Sequence, residues 1–143
     1  MPASSSKSSE PRAFSSVSEV GRRLLPLEAV ALAFTAPLIG RLPPRRLARV
    51  LRLAERVGPA DIDAAPAAER ALALTGRLIR HSCYTRGITR YVLLRRGRPD
   101  LMLVFGIDPT SRAGHCWLVL DGTPYLEAAD PTQRFVPIWH VGG

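Results

Sequence analysis

Apolar positions in the first half of the chain recur with helical spacing, and in the last third they form short runs or alternate. Leu24 to Ile39 is the most apolar stretch, with Leu27, Val30, Ala31 and Phe34 on one face. Ser15 to Val20 is a candidate start for that helix. Pro26 suits a helix start, Pro37 disrupts the end and Gly40 closes it. Pro43-Pro44 opens a second helix, with Leu47, Val50, Leu51 and Ala54 inward and Arg45, Arg46, Arg49, Arg52 and Arg56 mostly opposite. Gly58-Pro59 stops it. Asp61 to Pro66 reads as a linker, and a third helix is expected from about Ala67 to Arg80, with Ala71, Leu74 and Leu78 inward. Cys83 begins a fourth element, whose apolar stripe is Ile88, Tyr91 and Val92 and whose end is the Arg95-Arg96-Gly97-Arg98 cluster before Pro99. Beyond it the period changes. Leu101 to Ile107 is a continuous apolar run, as a buried strand would be, Asp108 to Gly114 is a polar loop, and His115 to Leu120 is a strand. Asp121-Gly122 is a hairpin turn, Thr123 to about Ala128 its return strand, and Phe135 to Val141 a last strand. Helices first and an antiparallel sheet after them make an α+β fold.

Composition narrows this picture. The chain has 143 residues, 46% of them hydrophobic, enough for one domain with a real core. Residues 1–14 are Ser, Pro and charge, and read as a disordered tail. No secretory signal precedes the helices, and the apolar stretch at Leu24 is too short and too interrupted to span a membrane, so a cytoplasmic location is expected. The net charge is +8, and nineteen of the twenty basic residues are Arg. No basic run is interleaved with aromatics, so nucleic acid is not an expected partner. Two cysteines are too few for a disulfide framework.

The chemistry gathers at two places. Cys83 lies in His81-Ser82-Cys83-Tyr84-Thr85-Arg86-Gly87, and His115 follows 32 residues later in His115-Cys116-Trp117. A cysteine at the mouth of a helix followed by a histidine on a strand is the order a papain-like or transglutaminase-like thiol enzyme needs. Unpaired N–H groups and the helix dipole favour thiolate and can hold an oxyanion. A strand histidine can serve as base and then as acid. A third group should orient the imidazole. Asp121, Glu127 and Asp130 are candidates. A two-residue hairpin loop pairs 115 with 128 and turns Glu127 away from His115, whereas a three-residue loop with a bulge puts both on one face. Taken alone, Cys83 also reads as a small buried hydrophobe and His115 as an ordinary strand histidine. Cys116 alternates away from His115 and reads as core. Trp117 shares the His115 face, as wall of the site or as core. His81 reads as a helix-end residue bonded to terminal carbonyls. His81, Cys83, His115 and Cys116 could in principle ligate zinc, but no C-x-x-C, H-E-x-x-H or zinc-deaminase pattern is present, and no Gly-rich phosphate loop appears. No metal and no cofactor are expected.

The run from His81 to Arg86, with Leu93-Leu94-Arg95-Arg96-Gly97, Leu103 to Ile107 and Gly114 to Gly122, resembles the lasso-peptide leader peptidases, the transglutaminase-like half of the lasso-peptide B protein, here as a stand-alone chain. The resemblance covers about residues 40 to 140 and implies a Cys-His-acid triad, carried here by Cys83, His115 and Glu127, the last where the family often has Asp. Tyr84, Arg86 and Trp117 are the accompanying substrate or oxyanion candidates. This chain departs from the pattern at Cys116, where the family often has Ala, and at Gly87, where it often has Ser. The resemblance further implies a cysteine peptidase that cuts the leader from a ribosomally made precursor peptide, a small leader-binding protein that delivers the substrate, and an ATP-dependent macrolactam cyclase that acts next. The corresponding organisation is a tail at 1–14, a helical docking region at 15–66 and a transglutaminase-like core at 67–143. An acyl transferase with an amine acceptor, or a non-catalytic binding protein of the same fold, are the other readings this pattern admits.

Overall fold

The computed structural model describes residues 16–57 and 64–143, with side chains from residue 26 onward. The expected tail at 1–14 and residues 61–63 of the expected linker lie outside the described residues. The elements follow in the order α1 (Ser16–Ile39), α2 (Pro44–Ala54), α3 (Ala64–Thr75), α4 (Cys83–Arg95), β1 (Met102–Ile107), β2 (Gly114–Leu120), β3 (Thr123–Tyr125), a 3-10 turn at Pro131–Gln133, and β4 (Val136–Gly142). The fold is α+β, with four α-helices and one four-stranded sheet among the described residues, the sheet in the order β3-β2-β1-β4 and antiparallel at every pairing.

α4 is the hub. Ser82 caps it, its Oγ accepting from the Thr85 N–H, and the two Arg at its end lead into Gly97. The expected stripe of Ile88, Tyr91 and Val92 is buried, but so are Leu93 and Leu94. The helix is buried nearly all round, Thr85, Thr89 and Arg90 included, because it is covered on both sides, by α1 and α3 and by β1 and β2. Leu51, Leu93, Leu94, Leu101, Leu103 and Leu118 are fully buried. Truncating any one of them to Ala would cost about 2–5 kcal/mol.

Three expectations about the helices need correction. α1 continues past Pro37 to Ile39, and Pro26 lies within it rather than at its start. Pro37 falls in the last turn, where one lost bond is cheap, and the Gly40 N–H then donates to the Ala36 carbonyl at 2.8 Å. The inward face of α1 is not the one with the largest side chains. Ala29, Ala33 and Ala36 are buried, whereas Leu27 is 69% exposed and Phe34 41%. Close approach to α3 and α4 selects small residues, and the bulky stripe is left outside. α3 begins at Ala64, inside the expected linker, and stops at Thr75 instead of Arg80. Gly76 breaks it, so Leu74 and Leu78 point to solvent while Ala71 and Leu72 are buried. Among the described residues no helix is long and apolar enough to cross a membrane.

The hairpin is the two-residue kind. Leu120 pairs with Thr123, and Asp121 and Gly122 both take positive φ, 51° and 75°. β3 ends at Tyr125 rather than near Ala128, because Leu126 also turns to positive φ, 59°, and leaves the ladder. Both edge strands are blunted: β3 is three residues long and contains Pro124, and β4 contains Pro137 beside a register shift opposite Phe105/Gly106. One sheet face packs on α4. The other carries Trp117, Val119, Met102 and Val104 and lines a groove of ≈440 Å³ with Ile138, Trp139 and His140.

Candidate active site

Three features of the chain bring Cys83 and His115 together. The Ser82 cap fixes where α4 starts, so Cys83 is its first residue. The Thr85 N–H is taken by Ser82 Oγ and the Arg86 N–H by the Ser82 carbonyl, at 3.2 and 3.1 Å. The N–H groups of Cys83 and Tyr84 have no acceptor within the helix. Glycine lets the elements close up. A Cβ at Gly114 would lie 2.8 Å from the Tyr84 hydroxyl, and one at Gly87 would lie 2.7 Å from Cys116 Sγ and 3.1 Å from Leu103 Cδ1. At Gly106 a Cβ would meet the Trp117 ring at 2.7 Å. The indole can therefore lie flat over β1, where it stacks on His115 with centroids 5.9 Å apart and planes 18° apart. Phe135 covers the imidazole at 4.7 Å and 28°.

Cys83, Arg86, Gly87, Arg90, His115, Cys116 and Glu127 line one cavity of ≈30 Å³, about the space of a single water. Cys83 is half-buried there and its thiol is pulled from an ordinary 9.0 down to about 5. The largest cause is a hydrogen bond from the Cys116 thiol. Burial opposes it, and a hydrogen bond from the His115 side chain adds to the lowering. Cys116 itself is buried, 2% exposed, and its Sγ lies 3.2 Å from the Cys83 carbonyl oxygen. One S–H cannot serve both acceptors, and an ionised Cys83 sulfur is the stronger of the two. The Cys116 thiol is pushed strongly upward, first by that same hydrogen bond and then by burial. Cys116 is thus core, as its place on β2 suggests, and also a direct neighbour of Cys83. Tyr84 is raised by burial and by the two nearby thiols.

The acid candidates separate clearly in space. Asp121 is exposed at the tip of the turn. Asp130 caps the 3-10 turn, accepting from the Thr132 N–H at 2.9 Å and the Thr132 hydroxyl at 2.7 Å, and the hydroxyl above all holds it below the ordinary carboxylate range. Glu127 lines the cavity, but on the Cys116 side, and its carboxylate pairs with Arg90 at 3.7 Å rather than with the imidazole. The positive φ of Leu126 brings this about, since it ends the ladder at Tyr125 and carries residue 127 toward Arg90. Arg90 is itself anchored by a two-pronged bond to Glu69, at 2.6 and 3.0 Å, and donates to the Leu126 carbonyl at 3.3 Å. Trp117 is buried, and Arg86 is exposed at the rim.

Sequence reasoning missed Phe135, Arg90 and Asp108. Asp108 accepts from the Thr110 and Ser111 N–H groups, the Ser111 hydroxyl at 2.6 Å and Arg134 Nε at 2.9 Å. Arg134 also lies over the Phe135 ring at 5.3 Å, so Asp108 anchors the segment that presses Phe135 onto His115. An Asp two residues before Thr-Ser after a strand is an Asx-turn signal, but nothing in the sequence joins it to position 134. His81 is bonded to a side chain rather than to terminal carbonyls. Its Nε2 lies 2.7 Å from Thr75 Oγ1, whose own hydrogen goes to the Ala71 carbonyl. Among the described residues no three His, Cys, Asp or Glu side chains are grouped to hold a metal ion.

A thiolate at a helix N-terminus, two free N–H groups and a stacked imidazole are the parts needed for acyl chemistry at a carbonyl. No curated protein and no solved structure matches the chain. The transglutaminase-like superfamily model matches residues 29–140, from within α1 to within β4, and the chain belongs to that superfamily, whose fold is that of cysteine peptidases and acyltransferases.

Proposed function

We propose that the protein is a cysteine peptidase that removes the leader from a ribosomally made precursor of the lasso-peptide class. The observation that carries the chemistry is the half-buried Cys83 thiol, held as thiolate at the first residue of α4 beside His115. Cys83 Sγ attacks the scissile carbonyl. The oxyanion is met by the Cys83 and Tyr84 N–H groups. His115 gives a proton to the leaving amine, then takes one from the water that releases the leader. The imidazole is oriented by its ring contacts with Trp117 and Phe135, which also touch each other. Glu127 acts from the far side of Cys116, through the charge it shares with Arg90. The resemblance of the four motif stretches supplies the substrate class.

Docking of the leader and its carrier protein fits the outer helical surface. α1 leaves Leu27, Phe34 and Leu38 exposed, and α2 presents Arg45, Arg49, Arg52 and Arg56 along a second groove of ≈410 Å³. Because Ala29, Ala33 and Ala36 are core, removing residues 1–40 would unfold the site. The informative change is Leu27→Ser with Phe34→Ser and Leu38→Ser.

The test is incubation of the full chain with a panel of precursor peptides, with and without leader-binding proteins, read by mass spectrometry. Cleavage at one bond, absent in Cys83→Ala and His115→Ala, supports the reading. A product joined to an added amine in place of water would move it to acyl transfer. Cleavage that survives Cys83→Ala would end it.

A further inference from the structure

The mechanism above uses one cysteine, yet the cavity contains two. Cys116 Sγ is 3.2 Å from the carbonyl of Cys83, lies 2.7 Å from where a Cβ at Gly87 would be, and opens on the same ≈30 Å³ space as the Cys83 sulfur. Cys116 otherwise belongs to the buried core cluster that includes Ile88, Leu103 and Leu118. A small oxidant that enters where one water fits meets both sulfurs in turn.

We infer that Cys83 and Cys116 form a reversible disulfide under peroxide, with Cys116 as the resolving thiol that protects the reactive one. This rests on the reading of Cys83 as the reactive thiolate. The steps balance. The Cys83 thiolate attacks one oxygen of hydrogen peroxide, the O–O bond breaks, hydroxide leaves and Cys83 becomes a sulfenic acid. Cys116 gives up its proton, its sulfur attacks the Cys83 sulfur, the S–O bond breaks and water leaves. Two thiols lose two electrons to one peroxide, which becomes two waters. His115 lines the cavity and can take the proton Cys116 releases.

The environment of Cys116 changes in the direction this requires. Its thiol is held protonated chiefly by its hydrogen bond to Cys83, then by burial, then by the Cys83 charge. Conversion of the Cys83 thiolate to a neutral sulfenic acid removes the charge and weakens that bond, so burial and the Glu127 carboxylate still oppose ionisation of Cys116, with Arg90 favouring it. The device is silent while Cys83 is reduced and released when Cys83 is oxidised.

The experiment uses the reduced full chain, treated with a small excess of hydrogen peroxide, freed of peroxide, then unfolded in guanidinium with N-ethylmaleimide so that the buried Cys116 is reachable, and analysed by intact mass and peptide mapping without reductant. The expected result is a monomer about 2 Da lighter, unlabelled at both positions, with the Cys83 and Cys116 peptides linked, and dithiothreitol restoring labelling at both. Cys116→Ala under the same treatment should gain about 32 Da at Cys83 as sulfinic acid, which dithiothreitol does not reverse. Wild-type chain that shows the same 32 Da gain while Cys116 still labels would overturn the inference, as would two cysteines left unchanged. The wild-type result stands without the variant if Cys116→Ala folds poorly. Precursor cleavage without the disulfide would sink this inference alone, and the disulfide without cleavage of any precursor would sink the proposed substrate alone.

Discussion

Alkylation of Cys83 as a function of pH has a shape that follows from its surroundings. The thiol is drawn from 9.0 to about 5. At pH 7 an ordinary thiol is about 1% ionised and this one about 99%, a gain of about 100-fold. Lower basicity also makes a thiolate a weaker nucleophile. With a Brønsted slope of about 0.45, taken from thiol–disulfide exchange, the loss is about 60-fold. At pH 7 the two nearly cancel, and Cys83 should react within about twofold of a free cysteine. The difference shows elsewhere. At pH 5.5 the ionised fractions differ by about 2,400-fold, so Cys83 should be about 40 times faster than the free thiol, and at pH 9 about 30 times slower. The assay is iodoacetamide labelling from pH 4.5 to 9.5, with peptide mapping to separate Cys83 from the buried Cys116, against free N-acetylcysteine. The rate should rise to a plateau by about pH 6. Cys116→Ala should move the inflection up, and by more than His115→Ala, because the Cys116 hydrogen bond is the larger cause. A Cys83 rate that still climbs between pH 8 and 9, or an inflection that moves more in His115→Ala than in Cys116→Ala, would refute this account of the site.

Gly87→Ala places a Cβ against Cys116 Sγ and Leu103 Cδ1, and should cost about 1–3 kcal/mol in urea unfolding; combined with Cys116→Ala the cost should fall, whereas strict additivity would show that the contact is not tight. Arg90→Met strands Glu127 and Glu69 around a buried position. Both carboxylates keep some solvent, so a loss of about 2–3 kcal/mol is expected by the same measurement, and a loss under about 0.5 kcal/mol would mean that the pair is spectator. Asp108 is held below the ordinary carboxylate range, first by the Ser111 hydroxyl and then by Arg134. A depressed carboxylate stabilises the fold above its unfolded value of about 3.9 and loses that contribution as pH falls below it. The melting temperatures of wild type and Asp108→Asn should therefore differ at pH 6 and converge toward pH 2.5; a constant gap across that range would count against the assignment.

The parts of the site that came from local signals were legible in the chain. Ser82 before Cys83, and Gly97-Pro99 after the arginines, bracket α4 by cap chemistry alone, and the change from helical period to short apolar runs after Leu101 announces the sheet. What depended on tertiary packing was not legible. On α1 the stripe of Leu27 and Phe34 is legible as one face, but not that helix–helix distance turns Ala29, Ala33 and Ala36 inward and leaves that stripe outside. α3 was carried too far because Leu78 keeps the period that Gly76 breaks. The position of Glu127 hung on hairpin length. Asp-Gly suits the two-residue turn, but only the positive φ of Leu126 shows that the return strand stops short and delivers the carboxylate to Arg90. Phe135 escaped because its partner is twenty residues away and joined to it only through β1 and Asp108.

The blunted edges of the sheet bear on how this protein can hold an extended chain. A partner that adds as a new strand needs a row of unpaired N–H and C=O groups. β3 offers three residues, one of them a proline without an N–H, and β4 is interrupted at Pro137 where its register shifts. Neither border can grip more than about two residues of backbone in register, since pairing groups face one way only at alternate positions. For the proposed peptide substrates, discrimination therefore rests on side chains met by surface grooves, and is open to re-engineering one position at a time. The same borders give a misfolded neighbour little to zip onto, so the folded chain is a poor template for edge-to-edge aggregation.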